Sequence, residues 1–401
     1  MDAPAGPDGA AAAARGCVKD EPGSQPVQSE WSILWGNIGT FVTRNSLPLF
    51  FLVAITAALA APAPGRAVMA PQVAGVRVVA FMNVCLVFFV SGLQLRTAEL
   101  RAVLRARGGS AVAFGLTSIV GVTPLLAWAV RGLPFSPPEL ATGLAIFAVM
   151  PTTLGVGVSL VTSAKGNVAM AILLTVTSNV VGVALIPLWL RAAIGGGHQA
   201  GLGASLNIDY LPTFVKLLLS CLAPTVIGKL LRELCGPARR AATDHPRLLS
   251  LISNASLAIL IWQTISSAQP QIVGLPFGTM LLLLAAALLH HGVCVAFNAA
   301  AAAALRLPMP EAACVVIMAS QKSAPVAVTV ITYIASSAET QGLLAVPCVV
   351  GQLVQIFADQ PIANYLGARI ARWRLSNETL ERSASPPPAE EQSPSGGAGS
   401  G

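Results

Sequence analysis

Charge is what this 401-residue sequence has least of. Only 10% of its residues are Asp, Glu, Lys or Arg, against about 25% in an ordinary soluble domain. The apolar share is correspondingly large, at 54% with a mean hydropathy of +0.71. That balance excludes an ordinary soluble domain and indicates a polytopic membrane protein. Cysteine pairing is also missing. The seven cysteines are odd in number, widely spaced and free of any CxxC or Cys/His cluster, which argues against a disulfide framework and a metal site. No HExxH, DDxxD-like acidic pair or GxSxG occurs, so an intramembrane enzyme lacks the groups its chemistry needs. The net charge of +7 is scattered between apolar runs, which argues against a nucleic-acid partner.

What is present is a series of long apolar runs. Ten are read, at 46–64, 74–95, 109–130, 139–163, 167–190, 211–231, 248–267, 275–305, 310–335 and 341–367. Most are long enough to cross a hydrocarbon core of about 30 Å. The basic residues test this count. With both termini on one side, that side holds 18 Lys and Arg and the other holds 4. This is the asymmetry of a multi-pass protein whose termini face the cytoplasm or its topological equivalent. Lys216, one turn inside the sixth span, is expected to snorkel to the interface. Residues 1–30 are expected to be a disordered tail, and are too acidic for an ordinary transit peptide. Residues 31–45 place Trp31, Leu34, Trp35, Ile38 and Phe41 at helical spacing, the pattern of an interfacial amphipathic helix. A disordered tail is expected over 373–401.

Ten spans divide into two sets of five, 46–192 and 211–372, joined by a loop over 193–210. Because five is odd, the second set runs inverted relative to the first. The fourth span carries "MPTTLGVGV" and the ninth carries "MASQKSAPVAV". Each sets polar residues and a proline in mid-span, at corresponding positions. Pro151 is expected to free the carbonyl of Phe147, and Pro325 that of Gln321. Interrupted helices at matching points of inverted repeats mark the binding site of a secondary carrier.

Within this frame the candidate substrate- or ion-binding residues are Thr152, Thr153, Ser320, Gln321, Lys322 and Ser323 at the two breaks. Thr175, Ser178 and Asn179 of the fifth span join them, with Thr177 in the same polar cluster. Gln352, Gln355 and Asp359 share one face of the tenth span, with solute lining and helix-to-helix bonding both open. Lys322 is the sharpest candidate, since a charge in mid-membrane is costly and usually functional. Its ammonium either takes the place of a cation or binds an anion, with Asp359 as the natural counter-charge. His290 and His291 interrupt the eighth span. A hydrogen-bonding role is expected for them, with a proton relay left open.

The segments "MPTTLGVGVSLVTSAKGNVAMAILLTVTSNVVGVALIPLWL", "ASQKSAPVAV" and "GLLAVPCVVGQLVQIFAD" resemble the bile acid:sodium symporter family. The likeness is to the branch of plastid sodium/metabolite cotransporters and animal member-7-type carriers, and spans about residues 45–372. It implies an all-α fold of ten transmembrane helices in two inverted five-helix repeats. Broken helices 4 and 9 would cross in a core domain of helices 3–5 and 8–10, beside a panel domain of helices 1, 2, 6 and 7. It further implies symport of a small organic anion or metabolite with sodium as the coupling ion, no other cofactor, and a chloroplast or plastid envelope location. A plasma-membrane or endomembrane location is the alternative. The sequence departs from the family where an acidic residue is expected and Ser320, Gln321 and Lys322 stand, and where Gly155, Val156 and Gly157 replace hydroxyl residues. Both changes remove expected sodium ligands. Proton-coupled or sodium-independent transport, and a non-transporting regulator on the same fold, stand as alternatives. Oligomeric state has no sequence signal.

Overall fold

The computed structural model describes residues 46–73, 76–97, 109–153, 156–195, 206 and 209–384. They lie in one compact unit, Asn45–Gly401. The tail expected over 1–30, the interfacial helix over 31–45, most of the loop over 193–210 and residues 385–401 fall outside the described residues. Nearly everything described is helix. In hydrocarbon no water answers backbone N–H and C=O groups, and a helix satisfies them within one segment.

The chain opens with α1 (Ser46–Ala60) and α2 (Pro62–Met69), bent against each other by 100°. Ala61 precedes a proline and is pushed out of helical conformation, and Pro62 begins the next helix. The first span, expected over 46–64, is therefore a bent pair that reaches Met69. A two-residue hairpin follows, β1 (Gln72–Val73) with β2 (Val76–Arg77), then α3 (Val78–Gln94). Next come α4 (Gly109–Arg131), α5 (Glu139–Ala148), α6 (Val156–Ser163) and α7 (Val168–Ala193). The second half holds α8 (Tyr210–Leu234), α9 (Gly236–Asp244), α10 (Pro246–Ser267), α11 (Gln269–Val273) and α12 (Phe277–Ala304). It closes with α13 (Met309–Ser320), α14 (Ala324–Ile334) and α15 (Ala338–Ala384).

Among the described residues, seven helical segments are long and apolar enough to cross a membrane, or eight if the bent pair counts as one span. This is an all-α, polytopic membrane protein. In the segment Met309–Ile334, which spans α13 and α14, 94% of an 18-residue apolar stretch is buried within the protein. It is shielded from lipid, which is the only setting in which an interrupted helix keeps its loose backbone groups paired. At the other extreme α15 overruns its expected end near 372 and continues to Ala384, so the expected tail from 373 begins as helix.

α10 packs on α1, α2 and α3, and α3 packs on α8; α15 packs on α5, α12 and α14, and also on α10. α3 and α8 approach through small residues. A Cβ at Gly92 would lie 2.1 Å from the Thr225 carbonyl oxygen, and one at Gly228 would lie 2.3 Å from that of Phe89. Such contacts replace the hydrophobic drive that lipid does not supply between helices. Lys216 reaches the Tyr333 carbonyl at 3.4 Å and lies over that residue's ring. It bonds to the end of α14, where snorkelling was expected.

The helix α4 is not uniform. It passes through a π turn at Ser118–Val122 and a 3-10 turn at Thr123–Leu125. Pro124 has no N–H, so the carbonyl four residues back, on Val120, loses its helical donor. The Trp189 indole on α7 fills that place, 2.8 Å away. Trp189→Phe should therefore lower stability by about 1–2 kcal/mol, read as a fall in thermal midpoint in detergent. An unchanged midpoint would show that Val120 finds another donor.

Candidate functional site: the crossing of two broken helices

The first break separates α5 from α6. α5 ends at Ala148, and Val149 and Met150 form a turn before the non-helical stretch at 151–153. The Phe147 carbonyl, expected to be left free by Pro151, is answered by the Met150 N–H at 3.1 Å. The second break separates α13 from α14, with Gln321 and Ser323 extended. Pro325 stands in the first turn of α14. There a missing N–H costs nothing, so Pro325 starts a helix and does not kink one. The expectation that it frees the Gln321 carbonyl is corrected accordingly.

The breaks meet. The Ser323 N–H donates to the Pro151 carbonyl at 3.0 Å. Thr152 Oγ1 donates to the Met318 carbonyl at 2.6 Å, and Thr153 Oγ1 to Gln321 Oε1 at 2.6 Å. All of these residues are buried. Each N–H from Gln321 to Ala324 has a partner. Gln321 bonds back to Ile317, Lys322 N donates to Gln355 Oε1 at 3.0 Å, and Ala324 N to Gln352 Oε1 at 3.1 Å. The face shared by Gln352, Gln355 and Asp359 on α15 is thus explained. Two of its amides cap the loose backbone of the second break, where a buried unpaired N–H would cost about 1–3 kcal/mol. Their Nε2 atoms, and Ser323 Oγ, have no partner among the described residues.

The α7 cluster divides. Thr175 and Ser178 hydroxyls bond carbonyls of their own helix, at 2.8 and 3.2 Å. Asn179 alone reaches the crossing, its Nδ2 lying 3.3 Å from the Thr152 carbonyl. Ser320 Oγ accepts from Asn298 Nδ2 at 3.1 Å, and Asn298 Oδ1 accepts from Ser118 Oγ at 2.7 Å. That link ties the second break to α12 and α4.

Lys322 is fully buried, and its expected pairing with Asp359 is not found. Its ammonium donates to the Ile119 carbonyl at 3.1 Å and to Thr123 Oγ1 at 2.8 Å. Ile119 belongs to the π turn of α4 and Thr123 opens the 3-10 turn that follows it. In a π register the Ile119 carbonyl would be answered by the N–H of residue 124, which is a proline. The Thr123 N–H goes to the Ser118 carbonyl, which leaves the Ile119 oxygen the Thr123 hydroxyl, at 3.4 Å, as a partner within α4. Asp359 instead takes His291 Nε2 at 2.8 Å and Gln321 Nε2 at 2.7 Å. The two buried charges therefore hold separate polar partners.

Ser118, Thr123 and Pro124 escaped the sequence reading. The Thr123-Pro124 pair in mid-span is the same signal as at Pro151 and Pro325. It lacks a counterpart that would have singled it out. Among the described residues, no group of three or more His, Cys, Asp or Glu side chains is placed to hold a metal ion.

Two interrupted apolar helices, crossed and sealed within a multi-pass bundle, are the architecture of a membrane carrier. The chain belongs to the SBF-like CPA transporter family, whose sequence pattern matches residues 45–368. It is a transporter and not an enzyme. It is 31% identical over 332 residues to the Arabidopsis thaliana protein named "Probable sodium/metabolite cotransporter BASS4, chloroplastic", covering 81% of this chain and 73% of the relative. The rice protein of that name (Oryza sativa subsp. indica) is 34% identical over 335 residues, covering 81% and 76%. A zebrafish protein named "Sodium/bile acid cotransporter 7" is 25% identical over 189 residues, covering 46% and 52%.

Proposed function

We propose that this protein moves a small organic anion or metabolite across a membrane by alternating access, with the solute held near the crossing of the two broken helices. The observation that carries this is the backbone bond from Ser323 to the Pro151 carbonyl at 3.0 Å. It joins two half-helix ends at one buried point, where helix dipoles and loose polar groups can serve a solute. The unpartnered amide donors of Gln352 and Gln355 favour an anion. The ten-span, two-repeat topology with cytoplasmic-side termini belongs to this reading, as does a panel set of helices moving against a core set. The plastid envelope is the membrane the named plant relatives favour.

The relatives' names suggest sodium as the coupling ion. One observation favours a second reading, in which transport is proton-coupled or sodium-independent. The Lys322 ammonium sits on a carbonyl and a hydroxyl oxygen at 3.1 and 2.8 Å, the kind of donor set an alkali cation takes. A tethered cation already fills that place.

The test is uptake of a panel of labelled organic acids into proteoliposomes under a sodium gradient, a proton gradient or neither. At least one acid is expected to accumulate, with no gain from sodium. If none accumulates under any condition, the carrier reading fails. Acceleration by sodium would overturn the tethered-cation reading alone.

A further inference from the structure

One buried pair has no part in the reading above. Asp359 on α15 and His291 on α12 are each 1% exposed, with Oδ1 and Nε2 2.8 Å apart. The second carboxylate oxygen accepts from Gln321 Nε2 at 2.7 Å. Gln321 Oε1 accepts from Thr153 Oγ1 at 2.6 Å, and Thr153 Oγ1 accepts from the Gly157 N–H at 3.0 Å. A continuous chain of hydrogen bonds thus runs from the His291 ring through α15 and both breaks to α6.

The pair is open to one more proton. With Nε2–H donated to Asp359, the remaining ring nitrogen of His291 is a bare acceptor, and Nδ1 has no partner among the described residues. The groups beside the pair are His290, whose Nε2 is also unpartnered, Cys294 one turn along α12, and Lys322 at the break. Lys322 turns its ammonium toward α4. Glu139, Glu311 and Glu339 stand in the first turns of α5, α13 and α15. Cys314, Tyr333 and Cys348 lie further along α13, α14 and α15. One added proton raises the charge of the buried cluster by one, which is what a bound coupling cation does.

We propose that the His291–Asp359 dyad is a proton-binding site whose occupancy reaches the helix crossing through Gln321 and Thr153. The proton adds to the His291 Nδ1 lone pair, giving an imidazolium against the Asp359 carboxylate. No other bond forms or breaks. The carboxylate, now neutralised by the ring, accepts less strongly from Gln321. Gln321 is the residue that ties Thr153 of the first break to the second. Proton entry therefore loosens the Gln321–Asp359 bond, through which Thr153 of the first break is also linked to α15. Use of this site in coupling rests on the carrier reading. Binding of the proton does not, and the two fail separately.

The test is 15N NMR of histidine-labelled protein in sodium-free nanodiscs. An H198Q/H245Q background leaves His290 and His291 of the four histidines. As the pH is lowered from about 8 to 5, the window in which a histidine can act as a switch, His291 Nδ1 is expected to pass from the bare to the protonated region of the spectrum. That transition is expected to vanish in H291Q and to leave this window in D359N. The wild-type dyad is itself titrated, so a variant that fails to fold does not block the decision. A His291 ring that keeps one protonation state throughout, or one that titrates unchanged in D359N, overturns the proposal.

Discussion

Lys322→Met is expected to cut uptake at least ten-fold while protein of normal yield still reaches the membrane. Two opposing terms set the stability change. Removing the ammonium takes one donor from the Ile119 carbonyl and one from the Thr123 hydroxyl, and a buried group left with no partner would cost about 1–3 kcal/mol. Both keep a partner within α4, since the Thr123 hydroxyl donates to the Ser118 carbonyl at 2.8 Å and reaches the Ile119 carbonyl at 3.4 Å. The same change removes a buried charge whose desolvation costs several kcal/mol. These terms oppose each other, so the fold should survive. Function should not, because the charge holds the second break against α4 at the point where the breaks cross. Lys322→Ala sharpens the test. The shorter side chain vacates a place lined by a carbonyl and a hydroxyl oxygen, and sodium is expected to raise the variant's thermal midpoint relative to potassium. Wild-type protein should show no such difference. Uptake at the wild-type rate by Lys322→Met, normalised to reconstituted protein, would remove Lys322 from the machinery.

The second large effect is on folding. Gly143 lies on α5, where a Cβ would stand 2.3 Å from the Leu344 carbonyl oxygen and 2.5 Å from Pro347 Cγ. Both obstacles belong to α15, and one is backbone, which cannot swing aside. Gly143→Val must push α5 off α15, at the upper end of the about 1–3 kcal/mol that overpacking costs. Displacing α15 also moves Gln352 and Gln355 away from the N–H groups they cap, so the second break loses its seal. Little monodisperse protein in detergent is the expected result for Gly143→Val. Gly143→Ala should show a smaller loss of the same sign. An alanine variant with a wild-type thermal midpoint would show that α5 and α15 are not in close contact at this point.

Much of this was readable along the chain. Apolar runs placed helices because hydrocarbon forces each segment to satisfy its own backbone. The pairing of "MPTTLGVGV" with "MASQKSAPVAV" marked the two breaks, and the family resemblance implied that they cross. Lys322 stood out as a charge where none is cheap. What failed was the naming of partners. Asp359 was the obvious counter-charge for Lys322, being the one acid deep in the last span. The structure gives Asp359 to His291 and Gln321, and Lys322 to a backbone carbonyl. A carbonyl occurs at every residue and leaves no mark in sequence. Whether one is free depends on the local helical register, here a π turn before Pro124. The same holds for Pro325, read as a breaker and found starting a helix, and for the bend between α1 and α2. A proline says that a helix must be interrupted nearby, but not on which side.

The sequence by itself determined that this is an all-α, multi-pass membrane protein with two interrupted spans and a buried cation between them. Composition and hydrophobic run length suffice for that, because both act through local free energies of transfer. Only the tertiary structure decided which groups answer one another at the crossing. Hydrogen bonds select on distance and direction, and those are set by how α4, α12 and α15 pack around the breaks.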